Sequence, residues 1–287
     1  SKTEWFGAQW IQGRLPPWFV ATYMGARFTP LIKGAKPEDG SVPDARPVAV
    51  GTGLRRLFST AAIRQFRAPM REALYPQQCA VGVESGQQLL TVFLRDVLHR
   101  NPDFICVKVD VSNAFNACSR LAMLEAIKRT EGLEDLLPLY AATLTVASKL
   151  WMRDDTGELS DLGAFMEEGG QQGCATTSGA FCLALHPAVL AADGALAEVG
   201  GGARFYADDG YLYGPAEDVL RALKVFETQI KAECDLVLNR SKSEFYVERA
   251  VTADVVRASA LAAGLVEGKD GEGRRGIICV GIPLGSE

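Results

Sequence analysis

The sequence predicts an α+β fold, an antiparallel sheet backed by helices, and three observations carry that expectation. Short runs of strand character alternate with helical stretches instead of forming blocks of one type. One run, Phe104-Ile105-Cys106-Val107-Lys108-Val109-Asp110, is apolar on both faces and so belongs inside a sheet. Aromatic runs on both sides of Asp208-Asp209-Gly210 read as a hairpin, which makes its strands antiparallel. At 287 residues, 48% of them hydrophobic, the chain can bury a full core as one domain with two lobes.

The elements follow in order. Arg46 opens a strand, Pro47-Val48-Ala49-Val50. Residues 54–73 have helical periodicity with a break at Pro69, and 86–99 form an amphipathic helix closed by Asn101-Pro102. The strand ending at Asp110 passes into a helix over 114–129, which is followed by a polar hairpin around Asp154. A helix over 175–190 follows Gly173. Next come the Asp208 hairpin, where Gly210 supports a tight turn, a helix over 218–234, a strand over 245–247, a short helix near Ala258 and a last strand over 277–280. Residues 34–47 and 264–276 are loops, and there are no repeats.

Composition narrows the class. No apolar stretch approaches the length of a membrane span and the first thirty residues lack the apolar centre of a signal peptide, so no membrane partner is expected. Cys79, Cys106, Cys118, Cys174, Cys182, Cys234 and Cys279 form no C-x-x-C pair and read as reduced thiols of a nuclear or cytoplasmic protein. The net charge is −5, but residues 1–76 hold eleven Lys or Arg against five Asp or Glu, a basic stretch suited to phosphate backbone. With only His99 and His186, neither in a triad-like or metal-ligand motif, hydrolase chemistry is disfavoured.

Three carboxylates carry the chemistry. Asp208 and Asp209 side by side at a hairpin tip repel each other at a cost of about a few kcal/mol, which a bound cation relieves. Asp-Asp-Gly is also ordinary turn chemistry, and the second pair, Asp154-Asp155 before Thr156-Gly157, reads as a solvated turn of that kind. Asp110 sets the first pair apart. It ends an interior strand, and the N-cap role it could otherwise fill is already met by Ser112 and Asn113. Oxygen donors without His or thiol neighbours suit Mg2+, with Mn2+ as a substitute. Two such ions about 4 Å apart are a device for in-line phosphoryl transfer.

Asp110-Val111-Ser112-Asn113-Ala114-Phe115, Gln171-Gln172-Gly173, Tyr206-Ala207-Asp208-Asp209, Leu238-Asn239-Arg240-Ser241-Lys242 and Val280-Gly281-Ile282-Pro283-Leu284-Gly285 resemble, in order, the palm motifs of reverse transcriptases. Arg46-Pro47-Val48-Ala49-Val50-Gly51 looks like the fingers strand of the same family. The likeness runs from about Arg27 to the last residue, nearest to the non-LTR retrotransposon branch and more distantly to group II intron enzymes. It implies a right-hand polymerase fingers-palm with a ferredoxin-like palm core. Fingers and an N-terminal extension would occupy 1–103 and the palm 104–287, with 130–168 contributing to their junction and the thumb absent. The implied reaction extends a DNA or RNA primer on an RNA template with dNTPs. Other domains of a parent polyprotein, the thumb included, would be partners.

The resemblance also assigns roles. Asp110, Asp208, Asp209 and the Val111 carbonyl would hold two Mg2+ ions, and Lys242 would donate a proton to departing pyrophosphate. Arg46, main-chain amides near Asn113, and Lys36 (in preference to Lys33) would contact the triphosphate. The loop 37–45 between the fingers arms is longer than the family's usual turn. Phe115 would be the steric gate against a 2′-hydroxyl; on local sequence alone it reads more readily as a core residue of an amphipathic helix. Gln172 and Gly173 would meet template and nucleotide, although Cys174 and Ala175 replace the family's acidic residue and proline, and Gly179 stands where proline often follows the serine. Residues 281–285 resemble the primer grip. Two alternatives stay open at this stage: an RNA-dependent RNA polymerase, which Phe115 disfavours, and a catalytically silent nucleic-acid-binding relic of a retroelement.

Overall fold

A computed structural model describes residues 1–32, 41, 45–154, 156–172, 174–248, 253–270 and 272–285. The described helices are α1 (Lys2–Ile11), α2 (Pro17–Tyr23), α3 (Gly53–Gln65), α4 (Arg67–Leu74), α5 (Gly86–Arg100), α6 (Ala114–Ala117), α7 (Arg120–Arg129), α8 (Leu137–Leu144), α9 (Ala175–Ala197), α10 (Ala216–Cys234) and α11 (Ala253–Ala262). The strands are β1 (Ala26–Ile32), β2 (Ala45–Gly51), β3 (Ile105–Val109), β4 (Ser148–Arg153), β5 (Leu159–Met166), β6 (Gly202–Tyr206), β7 (Asp209–Gly214), β8 (Glu244–Val247), β9 (Val266–Glu267), β10 (Gly276–Cys279) and β11 (Ile282–Gly285). The chain divides into two compact units. One holds Ser1–Phe66 with Phe115–Phe181, the other Arg67–Ala114 with Cys182–Glu287.

The first unit carries a sheet in the order β2-β1-β4-β5, antiparallel except for the β1/β4 pair. Rings of Phe6, Trp10, Phe19, Tyr23 and Phe58 interlock with centroids 4.9 to 5.9 Å apart, a packing that fixes α1 and α2 against α3. Thr52 starts α3 by accepting from the Arg55 amide at 3.4 Å, and Ser119 starts α7 in the same way from Ala122.

The second unit is built on a five-stranded sheet, β6-β7-β3-β8-β9. β3 lies between β7 and β8, antiparallel to both, and Ile105, Cys106, Val107 and Val109 are at most 1% exposed. The run apolar on both faces therefore sits where such a run must. On one face Cys106, Tyr211, Tyr213 and Tyr246 pack with Leu90, Leu94 and Leu98 of α5 and with Ile277, Cys279 and Leu284 of the β10/β11 hairpin. α10 also belongs to this unit and presents Val219, Ala222, Leu223, Phe226 and Ile230 at helical spacing as a buried stripe, with Phe226 5.3 Å from the ring of Phe205.

Several boundaries differ from the expectation. The helix expected over 54–73 is two helices divided at Phe66, because a proline in the first turn of α4 removes only an amide that the helix does not use. The one expected over 114–129 breaks at Cys118 and Ser119, where the Ser119 cap restarts it. Residues 266–267 of the expected 264–276 loop add an edge strand, β9, parallel to β8. The expectation that no stretch approaches membrane-spanning length is also overturned. α9, at 23 residues, is long and apolar enough, with 56% of its most apolar window buried inside the protein. A helix apolar on all sides is what burial on several sides selects, and Ala180, Phe181, Leu185, Ala188 and Ala192 are wholly enclosed.

Candidate active site

β3 delivers Asp110 to the end of the sheet. Its pairing with β7 places Val109 opposite Gly210 and Lys108 opposite Tyr211. The next positions in that register are Asp110 and Asp209, on the sheet face that carries Lys108 and Tyr211, where opposed Cβ atoms stand about 5 Å apart. Tyr206 pairs with Asp209 across the hairpin, so Ala207 and Asp208 form a two-residue turn. Asp208 thus occupies the tip and Asp209 the first position of β7. Asp110, Asp208 and Asp209 are all half-buried.

Backbone contacts fix Asp110. Its amide donates to Ser243 Oγ at 3.0 Å and its carbonyl accepts from the Asn239 amide at 2.8 Å. Val111 bridges Leu238, and the Ser112 amide donates to the Val237 carbonyl at 2.9 Å. The stretch 237–243 is therefore an extra lip beside Asp110. α6 begins only at Ala114, so Asp110 caps no helix, and no hydrogen bond to its carboxylate occurs among the described residues. Lys242 stands on the short 3-10 turn Arg240–Lys242 of the same lip, exposed. Arg240 anchors that turn through a salt bridge to Glu227 and a 2.8 Å bond to the Ala263 carbonyl.

The hairpin tip has its own clamp. Gln78, 1% exposed, accepts from the Ala207 amide at 2.8 Å and donates to the Ala207 carbonyl at 3.1 Å, while its Oε1 also accepts from the Ala80 amide. The clamp is what holds Ala207 at φ 56°, a left-handed geometry that alanine rarely adopts. Gln78 carries no motif, and its partner lies 129 residues away, so no pattern in the sequence reveals it. Gly210 is not in the turn, contrary to the expectation. It lies inside β7, where a Cβ would stand 2.5 Å from Val109 Cγ2 and closer still to the Phe205 ring.

The charges at the tip reach into the core around them. Burial pushes the Cys182 thiol up, with the charge of Asp208 adding to it. The Tyr211 phenol is raised by burial first, then by Cys279 and Asp209, and Tyr211 in turn accepts from the Val280 amide at 3.0 Å. Val280 and Gly281, both at positive φ, make the tight turn between β10 and β11. Among the described residues no three His, Cys, Asp or Glu side chains are gathered round one point as a complete metal cage. Mg2+ in nucleotide sites takes one or two carboxylates and completes its shell with phosphates and water, so the donors present at this sheet end fit it.

The remaining candidates are divided between the two units. Val111 is buried, and Asn113 is exposed at φ 49°. In the first unit Phe115 is half-buried and stacks on Phe181 with centroids 4.4 Å apart. Its carbonyl accepts from the Gly170 amide at 2.8 Å, and Asn116 donates to the Pro47 carbonyl at 3.5 Å beside Arg46 in β2. Gln171 is buried and structural, accepting from Arg55 and donating to the Met24 carbonyl at 2.9 Å, whereas the adjacent Gln172 is half-buried. Lys36 and Gly173 lie outside the described residues. One unit thus carries Asp110, Asp208, Asp209 and Lys242, the other Arg46, Phe115 and Gln172.

No protein-family model and no curated protein matches the sequence. The fold does have counterparts. The chain is similar to apo telomerase from Candida tropicalis, at TM-score 0.55 and 12% identity over 80% of this chain and 45% of that one. It is also similar to the same enzyme truncated from its C-terminal domain, at 0.51 and 12% over 77% and 49%. A third likeness is to Candida albicans telomerase in complex with a TWJ fragment of telomeric RNA, at 0.54 and 11% over 80% and 43%. The chain spans just under half the length of these structures. Its mixed α+β fold, sheets backed by helices, is the fold these telomerase structures share with it.

Proposed function

We propose that this chain is the fingers and palm of an RNA-directed DNA polymerase of the non-LTR retrotransposon kind, extending a primer 3′-hydroxyl with dNTPs on an RNA template. The observation that carries the reading is the strand register: Asp110 and Asp209 are successive to a described β3/β7 pair, and Asp208 occupies the adjoining turn. An RNA partner agrees with the telomeric RNA fragment bound by the Candida albicans enzyme. Seven free thiols suit a reducing nuclear or cytoplasmic setting.

In this reading Asp110, Asp208, Asp209 and the Val111 carbonyl hold two Mg2+ ions. When bound, such ions would supply acidification of the primer hydroxyl and neutralisation of charge on the pyrophosphate. The protein's part is placement. The 237–243 lip holds Asp110 by its backbone and Gln78 holds the turn; Lys242, exposed on that lip, is the group that would protonate the leaving group in this reading. Arg46, the Asn113 region and Lys36 receive the triphosphate, Gln172 and Gly173 face template and nucleotide, and Phe115 excludes the 2′-hydroxyl. Mg2+-dependent primer extension on an RNA template tests this. Asp208→Asn is expected to cut incorporation at least about 100-fold, the scale of losing a preorganised electrostatic group, and unchanged activity overturns the assignment.

A further inference from the structure

The first unit holds a small cavity beside Gly169, Gly170, Gln171 and Cys174 that the reaction above does not use. It offers about 20 Å³ to the centre of a water-sized sphere, room for one small species. Three buried polar groups on its wall have no partner. Arg55, 1% exposed, donates to the Tyr23 carbonyl at 3.0 Å, to Met24 Sδ at 3.6 Å and to Gln171 Oε1, yet its Nε–H has no partner. The indole N–H of Trp10, 1% exposed, and the hydroxyl of Ser148, 0% exposed, are likewise buried without partners. Arg120 brings a second guanidinium, bound to the carbonyls of Gly169, Val146 and Met166 at 2.8 to 2.9 Å.

The cavity lining contains no Asp or Glu, and no carboxylate pairs with either arginine among the described residues. Glu167 and Glu168 act on Arg120 only at a distance. A buried cation without a counter-charge is strongly unfavourable, and burial pulls the Arg55 pKa below its ordinary value. The chain nonetheless makes room for it: a Cβ at Gly51 would run into the Arg55 guanidinium. Indole and guanidinium N–H groups only donate, and a serine hydroxyl can donate as well. A water molecule could satisfy such donors but would leave the Arg55 charge without a counter-charge. A species that only accepts, and carries negative charge, meets both needs at once.

We infer that this cavity binds a single monatomic anion of the halide class, held by the Nε–H of Arg55, the indole N–H of Trp10 and the hydroxyl of Ser148. Through Arg55 the anion steadies Gln171. A ligand that binds the folded state stabilises it by mass action. The test follows urea unfolding of the full chain while chloride or bromide replaces gluconate, too large for the cavity, at fixed ionic strength. The midpoint is expected to rise with halide and saturate, and crystals grown in bromide should show an anomalous peak in the cavity. Trp10→Phe keeps the ring and loses the donor, and should weaken the halide dependence by about tenfold or more, the scale of a hydrogen bond to a charge. Ser148→Ala should act in the same direction. A midpoint indifferent to halide, a Trp10→Phe chain with wild-type halide dependence, or bromide crystals with only water in the cavity would each overturn the site.

Discussion

Gly210→Ala is the sharpest probe of how the hairpin is held. Backbone strain is not the issue at this position. Gly210 faces Val109 on one neighbouring strand and Phe205 on the other, and an added methyl would lie 2.5 Å from Val109 Cγ2 and nearer still to the ring. Carbon atoms rest about 3.5–4.0 Å apart, so roughly 1 Å must be yielded on both sides. Neither neighbour can give way. Val109 is 1% and Phe205 0% exposed, and the Phe205 ring is backed by Phe226. Overpacking costs about 1–3 kcal/mol, and this site belongs at the upper end, near 3 kcal/mol. Urea denaturation followed by circular dichroism measures it. In a Phe205→Leu background the same methyl should cost at least about 1 kcal/mol less, because the obstructing ring edge is gone. Displacement of β7 also moves Asp209, and a misplacement of about 1 Å can cost on the order of 100-fold in rate. A Gly210→Ala chain within about 0.5 kcal/mol of its parent would refute the packing argument.

Gln78→Met removes three hydrogen bonds from the turn and its flank, and at about 1 kcal/mol each it should lower stability by about 3 kcal/mol; a loss in urea below about 1 kcal/mol rejects the clamp. Phe115→Ala should admit ribonucleotides in single-nucleotide incorporation on an RNA template, and unchanged sugar discrimination would remove Phe115 from the gate. Burial, aided by the charge of Glu248, pushes the Tyr246 phenol up to about 12. Its folded pKa exceeds the unfolded value near 10, so the unfolded chain releases this proton first and stability falls as pH rises from about 10 to 12. Thermal melts of Tyr246→Phe should show a shallower alkaline decline, and parallel curves would contradict the assignment.

The parts of the site written in contiguous residues were legible in the sequence, for a physical reason. A strand buried on both faces needs an unbroken apolar run, and Asp110 stands out at the end of one because nothing in the run shares its character. The Asp208 hairpin was legible by the same contrast of charge against aromatic strands. Gly210 was visible as a glycine but not as a packing requirement, since the ring it must clear belongs to the opposite strand. The break expected at Pro69 falls at Phe66 instead, because proline is a breaker only where its amide is needed. The signals for α1 and α2 are short, a Ser1/Glu4 capping box and a proline at the first position of α2, and no strong apolar pattern follows them. The two helices hold their place by rings meeting Phe58, some fifty residues on, and that is a property of the packed state.

The long-range clamps explain why the chain can keep carboxylates together at all. Asp110 uses its amide and carbonyl, not its side chain, to join the 237–243 lip, and Gln78 grips the peptide of Ala207, not the neighbouring Asp208. Main chain and uncharged groups hold the sheet end in place. Like charges brought close in a half-buried setting repel by about a few kcal/mol, and a scaffold that depended on neutralising them would have no acceptor oxygens left for a substrate-bound cation. Backbone bonds and the packing of Val109, Gly210 and Phe205 therefore supply stability to this sheet end that does not depend on the carboxylates. That separation is why substitutions beneath the hairpin and substitutions of its carboxylates should read out differently, the first in unfolding and the second in incorporation.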